Sequence, residues 1–159
     1  MPIFSVVDID EKLFDAAYSL VRTAMPDVSP GQWAEFARTA RNSGGLIGLT
    51  GPEGALFGFL SYRLVESLRR GRVFHVDHFV TFELSHSGPG RRALCQAVDH
   101  RAKLLGCEAV EVRLDGGGFS FRSAKTRCWQ DLGHGFHGVV FAKQLETRVG
   151  RAEEMQVAT

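Results

Sequence analysis

The chain contains 159 residues, of which 44% are hydrophobic and 23% are charged, and its formal net charge is +1. These proportions are typical of one folded domain with an ordinary core and exclude a wholly disordered protein. The near-neutral charge argues against a general nucleic-acid binder, and no apolar run is long enough to span a membrane. The first residues do not resemble a signal peptide, and three widely spaced cysteines form no metal-type pair, so we expect a reduced, cytoplasmic protein.

The first half of the chain predicts helices followed by an antiparallel meander. Apolar residues recur at helical spacing after Asp10, a suitable N-cap, and Ser29-Pro30 is a typical start for a second helix. The period then changes to that of strands, with glycine-containing turns between them. The segments predicted are a strand at 3–7, helices at 10–24 and 29–42, and strands at 46–50, 55–68 and 73–81.

The second half predicts a crossover unit and then two shorter elements. The segments predicted are a helix at 90–105, a strand at 109–114, a helix at 120–132 and a last strand at 138–145. A strand–helix–strand connection of this length favours a parallel pair. The fold class is therefore α/β with a mixed sheet. We expect a single domain over residues 1–147, followed by a polar C-terminal tail at 148–159.

The junction between the strand ending at Thr81 and the following helix carries the strongest chemical signal. Its sequence is Ser85-His86-Ser87-Gly88-Pro89-Gly90-Arg91-Arg92. The first turn of a helix leaves amide hydrogens without intrahelical partners, the helix dipole adds partial positive charge, and glycines let a phosphate approach the backbone. Two arginines add charge, so the pattern favours a pyrophosphate. An ordinary turn is the alternative, since the segment is neither a P-loop nor a convincing dinucleotide fingerprint.

The order of the predicted elements, together with four short motifs, resembles the GNAT N-acetyltransferase superfamily over about residues 3–145. The family's phosphate motif is a Gln or Arg, two residues, and then G-x-G or G-x-A, and here Gly88 and Gly90 occupy the glycine positions. The other three matches are Leu56-Phe57-Gly58-Phe59 in the meander, Trp129-Gln130-Asp131-Leu132-Gly133 near the end, and Phe141-Ala142-Lys143-Gln144-Leu145 as the closing strand.

Three positions depart from the family pattern. Ser85 replaces the leading Gln or Arg of the phosphate motif, which removes a side-chain contact but no backbone contact. Trp129 replaces a tyrosine that in many members protonates the departing thiolate of coenzyme A, and an indole cannot do this. The dipeptide His134-Gly135 is inserted before Phe136.

The resemblance implies that acetyl-CoA is the co-substrate and lies in a cleft between the strand ending at Thr81 and the strand starting at Ala109. Its pantetheine arm would pair with backbone groups like an extra strand, and the amide of His78 would polarise the thioester carbonyl. The residues implied in binding the co-substrate are His78, Phe79, Val80, Ser85, His86, Ser87, Gly88, Pro89, Gly90 and Arg91.

A general base is needed to deprotonate the acceptor amine, and His75 and Asp77 are the candidates for catalytic residues. Side chains alternate along a strand, so these two point to one face and His78 points to the other. Asp77 also aligns with an acidic position of some family members. The alternative is that His75 is a satisfied polar group of the core. A metal site on His134 and His137 is not predicted, because no carboxylate or cysteine is placed with them.

The activity implied is transfer of an acetyl group from acetyl-CoA to a primary amine by direct attack. The acceptor is a small-molecule amine or a protein amine, with no nucleic-acid or membrane partner, and a homodimer is allowed because family members are often dimers. On the second helix, Trp33 either walls the acceptor pocket or packs in the core, and the core is favoured for Phe36. The competing functions are a non-catalytic acyl-CoA-binding or regulatory module on the same fold, which Ser85 and Trp129 favour, and an interaction domain without nucleotide.

Overall fold

Five strands form one mixed sheet within the residues that the computed structural model describes, 4–82, 88–114 and 123–145. Their bounds are β1 Ser5–Asp8, β2 Gly44–Thr50, β3 Leu56–Ser67, β4 Gly71–Thr81 and β5 Ala109–Val112. The strands lie in chain order across the sheet, antiparallel from β1 to β4, whereas β5 is parallel to β4. The predicted α/β class with a parallel pair after the meander is confirmed.

The helices of the described segments are α1 Phe14–Ala24, α2 Pro30–Ser43, α3 Pro89–Leu104 and α4 Ala124–Asp131. The start of α2 is set by a capping box, in which Ser29 Oγ accepts from the Gln32 amide and the Gln32 side chain accepts from the Ser29 amide. After α3, Gly106 has a φ of +72°, a left-handed conformation that favours glycine. None of the helices in these segments is both long and apolar enough to cross a membrane.

A hydrophobic core on each face of the sheet holds the helices in two layers. One face packs against α1 and α2 through Ala17, Val21, Trp33, Ala37 and Phe59. The other face packs against α3 through Phe74, Val76, Leu94 and Val98. Trp33 belongs to the first core, because it is 4% exposed and its Nε1 donates a 2.8 Å hydrogen bond to the carbonyl oxygen of Phe14. This bond ties α2 to the beginning of α1.

Residues 138–145 do not form the last strand that the sequence predicts. In the described part of the chain they have no regular structure, and no strand pairs with them. Their large apolar side chains are 66–93% exposed, namely those of Val139, Val140, Phe141 and Leu145. A strand depends on a neighbour that accepts its backbone hydrogen bonds and covers one of its faces. The apolar composition of this segment is therefore not sufficient to predict a strand.

Replacing Trp33 with Phe should lower the free energy of unfolding by about 0.5–1.5 kcal/mol, because the hydrogen bond to Phe14 is lost. Chemical denaturation of the purified chain measures this change. Phe141→Leu is the control, since that side chain is 93% exposed, and it should change the stability by less than about 0.5 kcal/mol. Equal stabilities of the wild type and the Trp33 variant would contradict the role given to this bond.

Candidate functional site

A cleft forms beside β4 because β4 and β5 separate before β4 ends. β4 pairs with β3 up to Thr81, but in the described residues its ladder with β5 stops at the pair Val76 and Val112. One further hydrogen bond of 2.9 Å joins the amide of Arg113 to the carbonyl oxygen of Val76. Beyond this point the edge of β4 faces the cleft, which we call the β4–β5 cleft.

The β4–β5 cleft has a volume of about 350 Å³. Residues 78–82 of the chain form one wall, Leu114 contributes from the segment after β5, and three helices contribute the other lining residues. The helix residues in question are Ala24 and Met25 at the end of α1, Arg91 of α3, and Lys125, Cys128 and Trp129 of α4. The three residues of α4 lie at positions i, i+3 and i+4, so one face of this helix points into the cleft.

Trp129 ties α4 to the strand and to α3. Its ring is 8% exposed and meets the ring of Phe79 edge-on at a centroid distance of 5.1 Å. The guanidinium carbon of Arg91 lies 5.7 Å from the centroid of the same indole, a cation–π contact. The aromatic ring therefore holds the guanidinium of Arg91 at the cleft.

The structure brings together part of the co-substrate set that the resemblance implies. Four of those residues line the β4–β5 cleft: His78, Phe79, Val80 and Arg91. Three form the beginning of α3: Gly88, Pro89 and Gly90. The other three, residues 85–87, lie outside the described residues. Gly88 is the N-cap of α3 in an extended conformation, and it has no side chain that could cap the first turn.

A β-bulge in β4 changes which side chains share a face of the sheet. Ser61 of β3 lies opposite His78 and Tyr62 lies opposite Val76, so Asp77 is an extra residue in β4. An extra residue shifts the two-residue alternation by one position. His78 therefore lies on the same face as Asp77, against α2, and the prediction that it points to the other face is wrong. The local sequence carries no signal for this bulge, because the bulge depends on the register with β3.

The bulge borders a second cavity, of about 390 Å³, which we call the α2 cavity. Its lining from the helix includes Phe36, Thr39, Ala40 and Ser43, and its lining from the sheet includes Ser61, Arg63, Asp77 and His78. Arg113, after β5, completes the polar side. Phe36 packs against the first core, as predicted, and its ring also lines this cavity, where it meets the His78 ring edge-on at 5.2 Å.

A chain of polar side-chain contacts runs across β3, β4 and β5 next to the α2 cavity. Arg63 Nε lies 3.0 Å from Asp77 Oδ2, and His75 Nε2 lies 3.3 Å from Asp77 Oδ1. His75 Nδ1 lies 3.1 Å from Glu111 Oε2, and Arg70 Nη1 lies 2.9 Å from Glu111 Oε1. His75 and Asp77 thus share a face, as expected, but Asp77 lines the α2 cavity and His75 lines neither space.

Sequence reasoning missed Glu111, which lies beside His75 in the parallel ladder. Glu111 lies on β5, and the register of β5 against β4 places it next to His75. Alternation along the predicted strand at 109–114 could have placed its side chain on one face, but the partner on β4 could not be read from the sequence.

No family model matches the sequence, and no curated protein matches it. Solved structures do match over most of the chain. An acetyltransferase from Trypanosoma brucei gives a TM-score of 0.68 at 19% identity, with 89% of this chain and 99% of that chain covered. An aminoglycoside N-acetyltransferase solved in complex with CoA gives 0.72 at 11% identity, covering 89% and 94%. A GNAT family acetyltransferase from Staphylococcus aureus gives 0.65 at 15% identity, covering 89% and 98%.

The chain has the GNAT acetyltransferase fold. The resemblance that the element order and motifs indicate is thereby confirmed at the level of the fold. In this GNAT-fold chain, the β4–β5 cleft lies between the strand ending at Thr81 and the strand starting at Ala109, as the resemblance implies.

His134 follows α4 in the chain, and its side chain is half-buried. Its ring meets the Trp129 ring edge-on, with the two centroids 5.4 Å apart. Burial lowers the pKa of His134, and the charge of Asp99 opposes this shift. The folded chain therefore binds fewer protons than the unfolded chain once the pH falls below about 6.5, the ordinary value for histidine. The stability associated with neutral His134 is complete above that pH and is lost as the pH falls through the folded pKa.

Replacing His134 with Phe should remove this acid-side loss of stability. The difference in free energy of unfolding between variant and wild type should shift in favour of the variant as the pH is lowered from about 7.5 to about 5. Denaturation at several pH values measures the difference. His137→Phe, the same change at an exposed histidine, is the control for replacing an imidazole with a phenyl ring. A His134 variant whose pH dependence parallels that of the wild type would contradict the effect of burial.

Proposed function

We propose that this chain is an acetyl-CoA-dependent N-acetyltransferase that moves an acetyl group to a primary amine. One observation carries the proposal: a cleft along the edge of β4 and a polar cavity under α2 meet at the same residue, His78. A two-substrate transfer needs such a meeting point, because the acyl carbon and the amine must approach each other while both are bound.

The proposed donor site is the β4–β5 cleft. The pantetheine arm would lie beside the backbone of residues 78–82, which faces the cleft instead of a β5 partner, and would pair with it as an added strand. The pyrophosphate would bind at the N-terminus of α3, where Arg91 adds a guanidinium and where the segment Ser85, His86 and Ser87 leads into Gly88. The amide of His78 would polarise the thioester carbonyl.

The proposed acceptor site is the α2 cavity. Asp77 supplies a carboxylate at 21% side-chain exposure, which suits an ammonium group of the acceptor. His75 does not line the cavity, but its Nε2 lies 3.3 Å from Asp77 Oδ1, so it has a positioning role. We infer direct attack of the amine on the thioester without a covalent enzyme intermediate. The acceptor is a small-molecule amine or an amine of a protein.

One observation favours a second candidate function, a non-catalytic acyl-CoA-binding or regulatory module. Trp129 lines the cleft at the position of the family's tyrosine, and its indole cannot protonate a departing thiolate. The cleft does hold other proton-bearing side chains on the same face of α4, Lys125 and Cys128. The two candidates agree on binding of acetyl-CoA and differ in turnover.

Acetyl-CoA should stabilise the chain against heat, by about 2.7 kcal/mol at a concentration 100 times the dissociation constant. Arg91→Ala should weaken binding about 10- to 100-fold, because a charge-assisted contact to the pyrophosphate is lost. Arg69→Ala is the control, since it removes the same charge from an exposed position in the turn between β3 and β4 that does not line the cleft. Isothermal titration calorimetry measures both constants. Absence of binding to the folded wild type would overturn both candidate functions.

Thiol release from acetyl-CoA should depend on an amine acceptor, and Asp77→Asn should lower kcat/KM about 10- to 100-fold, mainly through a higher KM for the amine. A panel of small primary amines and lysine-containing peptides identifies the acceptor class. Glu53→Gln, at an exposed turn between β2 and β3, is the charge-matched control and should leave the kinetics unchanged. Tight binding of acetyl-CoA without release of thiol on any amine would select the non-catalytic module.

A further inference from the structure

We propose that the imidazole of His78, a residue expected from the sequence to act through its backbone amide, accepts the proton that the attacking amine loses. The inference rests on the proposed function, because it names the base of that same reaction. It comes from the position of the side chain, which the bulge at Asp77 turns toward α2.

His78 lies where the β4–β5 cleft and the α2 cavity meet. Among the described residues, it is the one that lines both the β4–β5 cleft and the α2 cavity. A general base must lie within hydrogen-bond reach of the nitrogen whose proton it takes, while that nitrogen faces the acyl carbon. With the thioester in the cleft and the amine in the cavity, the new C–N bond forms at their junction, where the imidazole lies.

Ser61 and Phe36 hold the imidazole ring of His78 in place. His78 Nδ1 lies 2.8 Å from Ser61 Oγ, its direct cross-strand neighbour, and Ser61 is 1% exposed. Phe36 packs edge-on against the imidazole from α2 at 5.2 Å. A buried hydroxyl at Nδ1 and an aromatic ring on one side fix the plane of the imidazole. When Nδ1–H donates to Ser61 Oγ, Nε2 is the nitrogen that accepts a proton.

The other two candidates for the base, Asp77 and His75, contact each other and further charged side chains. Both oxygens of Asp77 accept hydrogen bonds from Arg63 Nε, at 3.0 and 3.2 Å. The two nitrogens of His75 lie 3.3 and 3.1 Å from carboxylate oxygens of Asp77 and Glu111. His75 also lines neither of the two spaces. These contacts suit binding and orientation of the acceptor, whereas His78 lines both the cleft and the cavity.

The proton balance of the step is complete with this base. The acceptor enters as an ammonium and gives one proton to Nε2 of His78, which leaves a lone pair on nitrogen. That pair attacks the thioester carbonyl carbon, the C–N bond forms, and the C–S bond breaks with its electrons on sulfur. The second proton lost by nitrogen ends on the thiol of coenzyme A. The imidazolium returns its proton to solvent, so the products are the amide, the thiol and one proton.

Several charged or titratable groups face His78 from the surrounding elements. On the cavity side they are Tyr62, Arg63, Asp77 and Arg113, with His75 in contact with Asp77, and on the cleft side they are Arg91, Lys125 and Cys128. The lining residues of α1 and α2 add no titratable group in the described part of the chain. The inflection is therefore assigned to His78 by comparing the wild type with His78→Gln, in which these other groups are unchanged.

His78→Gln should lower kcat about 100- to 10,000-fold and leave the dissociation constant of acetyl-CoA within about threefold of the wild type. In the wild type, kcat/KM should rise with pH through an inflection of histidine type, and this inflection should be absent from the variant. His78→Ala should regain part of its activity with added imidazole. His100→Gln is the control, because that histidine is exposed on α3, and it should behave as the wild type.

A second measurement keeps the proposal testable should the variants fold poorly. The imidazole of His78 in the wild-type chain, followed by NMR through its ring carbon protons, should titrate at the pH of the kinetic inflection. Wild-type kcat and an intact inflection in His78→Gln would overturn this proposal and leave the proposed function standing. Failure of the wild type to bind acetyl-CoA or to acetylate any amine would overturn the proposed function, and this inference with it.

Discussion

The arrangement of the site depends on one irregularity in hydrogen bonding, the extra residue that β4 inserts opposite the Ser61–Tyr62 step of β3. On one side of the sheet this insertion turns His78 toward α2, where Ser61 and Phe36 hold its ring. Within the part of the chain that the structure describes, the ladder to β5 stops at Val76, one residue before Asp77. The same short stretch therefore presents backbone to the cleft and side chains to the cavity, and in the proposed reaction the two substrates would meet across this one strand.

Local signals in the sequence were sufficient for most of the fold. The capping box at Ser29, the apolar stripes of the helices and the glycine turns each act within a few residues, and the structure places elements close to the predicted bounds. The segment 138–145 shows the limit, because its apolar composition suits a strand but the described residues offer it no partner. A strand is decided by its neighbour, which local composition does not specify.

The candidate site was also predictable only in part, because some of its contacts depend on neighbouring strands. The glycines and Arg91 before and within α3 could be found as a local motif, and the alternation of His75 and Asp77 followed from the strand period. The facing direction of His78 and the contact between His75 and Glu111 depend on the registers of β3 and β5 against β4. Registers are fixed by the whole sheet, so a sequence window cannot supply them.

The ion pairs beside the cavity explain how Asp77 keeps its place. The carboxylates of Asp77 and Glu111 flank the imidazole of His75, and each pairs with a guanidinium on its other side, so the formal charges of those four groups cancel. Partly buried charges are tolerated when they are paired and hydrogen-bonded. The network fixes the carboxylate of Asp77 at the edge of the α2 cavity. His78 lies where this cavity meets the β4–β5 cleft.

The central claim is that a coenzyme A thioester lies along the edge of β4 and reaches the start of α3. The most direct measurement is a ¹H–¹⁵N correlation spectrum of the assigned chain during titration with acetyl-CoA. The account predicts that the largest shifts occur at the amides of residues 78–82 and of Gly90 to Arg92, together with the indole N–H of Trp129. Shifts confined to other surfaces, or no shifts at millimolar acetyl-CoA with the chain folded, would contradict it.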